Sequence, residues 1–373
     1  LALGGVGALS ACGIPPAGRQ ESAASPADDH SDEEKRVNWS NWTEYIDVDG
    51  DRRPTLEQFR KRTGIKVAYT EDINDNVEFF GKIKPQLAAG QETGRDLICV
   101  TDWMAGRMIR LGWMQKLDQS NLPNAYANLS AAFRSPGWDP VRAHSYAWQG
   151  IPAVVAYNIK ATGGRTVDSV EQLLEDPKLK GRVALLTEMR DTVGLTLLDM
   201  DSDPADVTAD SYDAAIARIQ RAVDKRQIRR FTGNDYIDDL SKGDIAACMA
   251  WAGDLVQLQK DNPDVRFAIP EAGYMMSSDN LMVPNKARHK TNAEKLINYY
   301  YEPAVAAQVA AYIAYVSPVD GIEAELAKID KDLAKNPLII PDAEMTEKAA
   351  EFRLLSDEEE TAFEEKFAKL IGA

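Results

Sequence analysis

The 373-residue chain has only three cysteines and three histidines. Cys12, Cys99 and Cys248 form no CxxC pair and no metal-finger spacing, which excludes a disulfide framework and a structural zinc site. His30, His144 and His289 include no pair at metal-ligand spacing. A P-loop, a dinucleotide-binding glycine motif, HExxH and GxSxG are all missing, so the sequence implies no metal, no cofactor and no recognisable enzyme chemistry. Positive charge is also short: 43 Lys and Arg face 59 Asp and Glu, a net charge of −16. Such a surface repels nucleic acid and anionic headgroups. What is present is an ordinary globular mixture, 44% hydrophobic and 27% charged, at a length that suits two domains.

Residues 1–11 are uncharged and small or apolar, which reads as the h-region of an export signal lacking its basic start; it is too short to cross a bilayer. Leu9-Ser10-Ala11-Cys12 resembles the lipobox of bacterial lipoproteins, which implies acylation of Cys12 and a membrane anchor. Residues 12–36, rich in Ser, Ala, Asp and Glu, read as a lipidated cysteine followed by a flexible tether.

Beyond the tether, strand and helix patterns alternate. Val37-Asn38-Trp39-Ser40, the alternating Ile65, Val67 and Tyr69, and Asp96 to Val100 predict strands. Thr55 with Gln58 predicts a capping box, and Phe80, Ile83 and Leu87 predict one helix face. Met104, Met108, Ile109 and Leu111 predict another. A second run begins near Ile151, with strands at Val154–Tyr157, Val183–Leu186, Cys248 and Val265–Pro270, and a helix over Tyr212–Val223. Ser356 with Glu359 predicts a final capped helix that buries Phe363, Phe367, Leu370 and Ile371. Asp47 to Asp51 is similar to a calcium loop, but its glycine is displaced and Gln58 stands at the twelfth place, so it reads as a polar turn. Alternation of this kind predicts an α/β fold with a mostly parallel sheet.

Ligands of such sheets bind beyond the carboxyl ends of the strands. The loops there hold Trp42, Thr43, Glu44 and Tyr45; Thr101, Asp102 and Trp103; Trp251 and Asp254; and Ser277 to Asn280 with Asp279. Each carries a carboxylate and three carry an indole. Aromatic faces beside carboxylates suit ammonium groups on methylene stems. Singly, such residues are also core indoles and helix caps. Asp102 reads as a cap, and for Asp254 capping and ligand contact stand side by side.

Several of these segments resemble the spermidine/putrescine-binding proteins of bacterial ABC transporters. Asn41-Trp42-Thr43-Glu44-Tyr45, Leu56-Glu57-Gln58-Phe59 and Thr63-Gly64-Ile65-Lys66-Val67 resemble their opening. Asn234 to Leu240, Gly243-Asp244-Ile245 and Trp251-Ala252-Gly253-Asp254 resemble the putrescine-type members. Ile269 to Gly273 followed by Asp279, Ala293 to Asn298, and Pro341-Asp342-Ala343-Glu344 continue the likeness in order. The resemblance implies a two-lobed, type II periplasmic-binding-protein-like α/β fold, each lobe a mostly parallel sheet flanked by helices. Its expected parts are lobe 1 over 37–150 and 273–330, lobe 2 over 151–272, and C-terminal helices over 331–373 packing on lobe 2 or the lobe interface. Hinge strands would cross near Gln149–Val154 and Ala272–Ser278.

The resemblance also implies a polyamine cleft contacted by Trp42, Thr43, Glu44, Tyr45, Thr101, Trp103, Tyr236, Trp251, Asp254, Asp279 and Tyr315, in a monomer that delivers its cargo to permease subunits. The sequence departs from the family at Thr192, which stands where a binding glutamate is expected; Glu188 or Asp191 would substitute. Arg190 lies beside it, and Arg353 falls near another polar contact. Either these cations point away, or the ligand is another solute, such as an amino-acid derivative whose carboxylate they pair. Alternatives of a different class are an enzyme without a recognised motif and a surface scaffold lipoprotein.

Overall fold

The computed structural model describes residues 27–372; Cys12 and the h-region lie outside the described residues. Ten strands form one sheet: β1 (Arg36–Trp42), β2 (Lys66–Ile73), β3 (Leu97–Thr101), β4 (Ser145–Asn158), β5 (Val183–Leu186), β6 (Ile228–Thr232), β7 (Ala247–Trp251), β8 (Val265–Ala268), β9 (Tyr274–Met282) and β10 (Ala349–Ala350). Their order is β2-β1-β3-β9-β4-β7-β5-β6, with β8 beside β4 and β10 beside β9. The trio β2-β1-β3 is parallel, and so is the trio β7-β5-β6. These are the sheets of the two lobes, each built from strand–helix–strand crossovers.

The lobes are joined by β4 and β9, which run antiparallel from Ser145↔Met282 to Ala153↔Met275. One end of β9 pairs with β3 in the first lobe, while the far half of β4 pairs with β7 in the second. At Gly150 a side chain has no room: a Cβ there would sit 2.5 Å from Phe133 Cζ. The backbone of Gly150 instead bonds that of Val316, which seats the Tyr315 segment against the crossing strand.

Most expected elements stand where the sequence pattern puts them, and Cys99 and Cys248 are core thiols. Two local readings are corrected. Thr55 does not cap its helix, Pro54–Thr63: it lies inside the first turn, and its amide and hydroxyl both donate to buried Asp47. Asp47 is therefore a fixed backbone anchor. Leu111 sits past the end of its helix and is exposed, because the amphipathic face stops at Met108. Asp29 to Arg36, within the expected tether, packs on the first lobe, where Ser31 and Glu34 receive donors from Asn292.

Helix Asp357–Ile371 carries the capping box of Ser356 and Glu359. It lies on helix Ala209–Asp224, with Phe363 and Tyr212 stacked at 3.8 Å and the Tyr212 hydroxyl donating to the Phe363 carbonyl. Phe363→Ala removes a ring 2% exposed and leaves a cavity. It should cost about 3 kcal/mol of second-lobe stability, read as a lowered urea midpoint.

Candidate functional site

The first side of the cleft is fixed by strand register. Antiparallel pairing of β3 with β9 sets Thr101 opposite Asp279, and the Thr101 hydroxyl donates to Asp279 at 2.8 Å. Asn76, at the start of helix Asn76–Ala88, donates to the same hydroxyl at 2.8 Å. Thr101 takes the cap position of helix Asp102–Arg110, so the expected cap, Asp102, is its first residue. The Asp102 carboxylate accepts the amides of Trp103 at 2.6 Å and Ser278 at 3.2 Å. Nearby, Trp39, Trp148 and Tyr300 form an edge-packed aromatic core with ring centroids 4.9–5.6 Å apart. The Trp148 indole donates to the Tyr45 carbonyl, which places the Tyr45 ring edge-on to Tyr315 at 5.5 Å.

The second side is built from the ends of β5 and β7. Asp254 caps nothing: its carboxylate accepts the hydroxyl of Tyr236 at 2.5 Å, the amide of Asn234 at 2.8 Å and the hydroxyl of Tyr315 at 3.1 Å. The Tyr236 hydroxyl also accepts the Trp251 amide. The Trp251 indole donates to Asp191 at 2.8 Å. Glu188 takes the N-cap position of helix Met189–Leu198, and its carboxylate accepts the Arg190 amide at 3.3 Å. The Thr192 hydroxyl is committed to the Leu186 carbonyl. Gly253 is dictated by close approach, since a Cβ there would lie 2.2 Å from the Tyr315 ring.

The two arginines go different ways. Arg353 points away from the cleft and is held by Glu359 and the Val207 carbonyl. Arg190 lines the cleft, with its guanidinium 4.0 Å over the Trp103 ring. Of the remaining expected contacts, Trp42 is half-buried against the core, and Thr43 and Glu44 are exposed at the rim. Glu44 holds the left-handed region at φ 55°. Asn76, Asn234 and Asp102 belong to the site without having been singled out as contacts; Asn234 stood inside the matching segment, whereas Asn76 carries no signal because only folding brings it to Thr101.

Asp102, Glu188, Asp191, Asp254 and Asp279 thus converge. Burial raises all five carboxyls. Asp279 reaches about 6, against the bond from Thr101, and Asp102 about 7, against its two amide bonds. Asp191 reaches about 7, against the Trp251 bond, and Glu188 about 8, against the Arg190 charge. For Asp254 burial outweighs its three donors. The space between Thr101, Asp102, Trp103, Glu188, Arg190 and Asp191 is a cavity of about 20 Å³, room for one water molecule. Entry of any larger solute requires the lobes to part.

Two lobes meeting across a carboxylate-lined, tyrosine-walled cleft define a solute-binding protein, the class in which hinge closure traps a ligand. The chain belongs to the family of bacterial extracellular solute-binding proteins, which it matches over residues 55–340. It is 29% identical over 333 residues to the putrescine-binding periplasmic protein PotF of Escherichia coli (strain K12), covering 85% of this chain and 86% of that one. It is 26% identical over 341 residues to the spermidine/putrescine-binding periplasmic protein of the same organism, covering 91% and 93%. The fold is similar to that of the spermidine/putrescine ABC transporter substrate-binding protein PotD of Streptococcus pneumoniae strain Canada MDR_19A, with a TM-score of 0.76 and 19% identity over 90% of this chain and 98% of the other.

The raised carboxyls bind protons in the folded state that the unfolded chain releases at ordinary carboxylate pH. Their contribution to stability is therefore present below about pH 4 and is lost as pH rises through 6 to 8. Without added ligand, Asp191→Asn and Glu188→Gln should each gain stability over the parent protein as pH rises from 5 to 8.5, measured by thermal melting across that range. Gly253→Ala should displace Tyr315 and weaken closure, seen as a loss of protease protection near Tyr315.

Proposed function

We propose that the protein captures a polyamine in the cleft between its lobes and delivers it to the permease of an ABC importer. The observation that carries this reading is the excess of carboxylate over resident cation: Asp191 and Asp279, both buried, and the partly buried Asp102, Glu188 and Asp254 meet at the cleft, and Arg190 is the guanidinium among them. Desolvated carboxylates are costly unless a cation joins them, and a bound ammonium supplies that cation. Asp254 and Asp279 hold the amines, while Trp251, Tyr45 and Tyr315 cover the methylene chain. Trp42 and Glu44 act from the rim. The two Escherichia coli relatives, a putrescine-binding and a spermidine/putrescine-binding protein, favour the same ligand class.

The hinge is assigned to residues 149–154 and 272–278, where β4 and β9 pass between the lobes. The lipobox-like segment before Cys12 supports a lipid anchor on the outer face of the cytoplasmic membrane, with the tether leading to the folded part.

Each of Asp254→Asn and Asp279→Asn removes a charge-assisted contact of about 1.5–3 kcal/mol, so putrescine affinity should fall roughly 10- to 150-fold in calorimetry. Unchanged affinity in both variants would sink the assignment. Binding should also release protons, because a ligand cation pulls the raised carboxyls back down. Affinity should be greatest above pH 8 and decline as pH falls through 7 and 6. Calorimetry in buffers of differing ionisation enthalpy reads the proton count directly.

A further inference from the structure

We propose that Arg190 is a resident cation that serves its neighbouring carboxylates in place of a ligand ammonium and thereby restricts the ligand to a diamine such as putrescine. This rests on the reading of the cleft as an amine site and deepens it.

The cleft carboxylates fall into two chemical sets. Asp254 and Asp279 accept only neutral donors: two tyrosine hydroxyls and an amide for the first, a threonine hydroxyl for the second. Their charge is uncompensated, which is what an incoming ammonium requires. Arg190, by contrast, shares a single cavity with Asp102, Glu188 and Asp191. Its charge acts favourably on all three carboxylates. A further ammonium placed there would meet a fixed guanidinium as well as the carboxylates it already serves.

Arg190 cannot readily swing aside. Its side chain is 8% exposed, and its flat face lies on Trp103. From behind, the C-terminal helix grips it through Glu364 at 3.1 Å and Glu360 at 3.5 Å, while Glu188 lies at 3.7 Å. Glu360 is itself steadied by Arg107 and Arg110. The guanidinium is thus built into the wall. The same partners argue against a ligand carboxylate beside Arg190. Arg190 already faces three glutamates, and a carboxylate entering there would be crowded by Asp102, Asp191 and Glu188. A diamine fits because its two charges match the two uncompensated carboxylates, Asp254 and Asp279; a third ammonium would have to compete with Arg190 for carboxylates it already serves.

The experiment is calorimetric titration of the full chain with putrescine, spermidine and γ-aminobutyrate, repeated for Arg190→Gln and Arg190→Lys. The parent protein should prefer putrescine over spermidine by about tenfold or more. Arg190→Gln should narrow that ratio at least tenfold, whereas Arg190→Lys, which keeps the charge, should preserve the preference. A parent protein that prefers spermidine overturns this role of Arg190 and leaves the amine site standing, and so does an unchanged ratio in Arg190→Gln. Preference for γ-aminobutyrate overturns it by showing that Arg190 receives a ligand carboxylate. A parent protein that binds no amine at all overturns the amine reading itself. The parent ratio stands as a test even where the glutamine variant does not fold.

Discussion

Five acidic side chains drawn wholly or partly out of water into one cleft are the constraint on which the rest of the structure depends. A lone buried carboxylate costs several kcal/mol unless it is neutralised, bonded or protonated. Here every one of the five is bonded to a neutral donor: Thr101 serves Asp279, Tyr236 with Asn234 and Tyr315 serves Asp254, Trp251 serves Asp191, and backbone amides serve Asp102 and Glu188. Those bonds keep the groups in place, yet burial still raises each carboxyl. The cleft is thus arranged to hold negative charge that its own hydrogen bonds do not fully stabilise.

The arrangement depends on architecture far from the charges. Parallel trios leave the carboxyl ends of β1, β3, β5 and β7 facing the junction, and the two antiparallel strands between them bring Asp279 into register with Thr101. The interlocked rings of Trp39, Trp148 and Tyr300 do the same for Tyr45 through a single indole bond to its carbonyl. Gly253 lets Tyr315 lie directly on the start of its helix. Removing bulk at one position and adding it at another is how the two lobes come to share Asp254.

The sequence made the α/β alternation, the strand-end loops and most of the acidic and aromatic side chains legible, because those follow from periodicity of two and 3.6 and from the rule that sites sit at strand ends. It did not reveal what each carboxylate would bond. Asp102 looked like a helix cap, yet Thr101 takes that position, since the chain turns into the helix one residue earlier. Thr55 carried the pattern of a capping box, but a buried Asp47 from the preceding loop outcompeted its own backbone for the hydroxyl. The fates of Arg190 and Arg353 were equally hidden. Both are settled by glutamates of the C-terminal helix, Glu360 and Glu364 for one and Glu359 for the other, more than a hundred residues from Arg190 and six from Arg353. For Arg190, pairing at that range is a property of packing, not of local pattern.

Closure and charge are one equilibrium in such a molecule. The ion pairs that span from helix Asp102–Arg110 to the C-terminal helix are Arg107 to Glu360 at 3.6 Å, Arg110 to Glu360 at 3.8 Å and Arg110 to Asp357 at 3.0 Å. Asp357 is 73% exposed and Arg110 about one-third exposed, so that pair contributes on the order of 0–1 kcal/mol; the two pairs to buried Glu360 are long ones. Against them stands the mutual repulsion of carboxylates from both lobes, such as Asp102 with Asp191 and Asp191 with Asp279. Weak latches opposed by desolvated, mutually repelling carboxylates make a closed state whose population depends on what neutralises the cleft. Protons do so at low pH, and a cationic solute does so at neutral pH; each binds the closed arrangement better than the open one and shifts the population accordingly. The same acidity that would open an unfilled cleft is what makes a cation able to shut it.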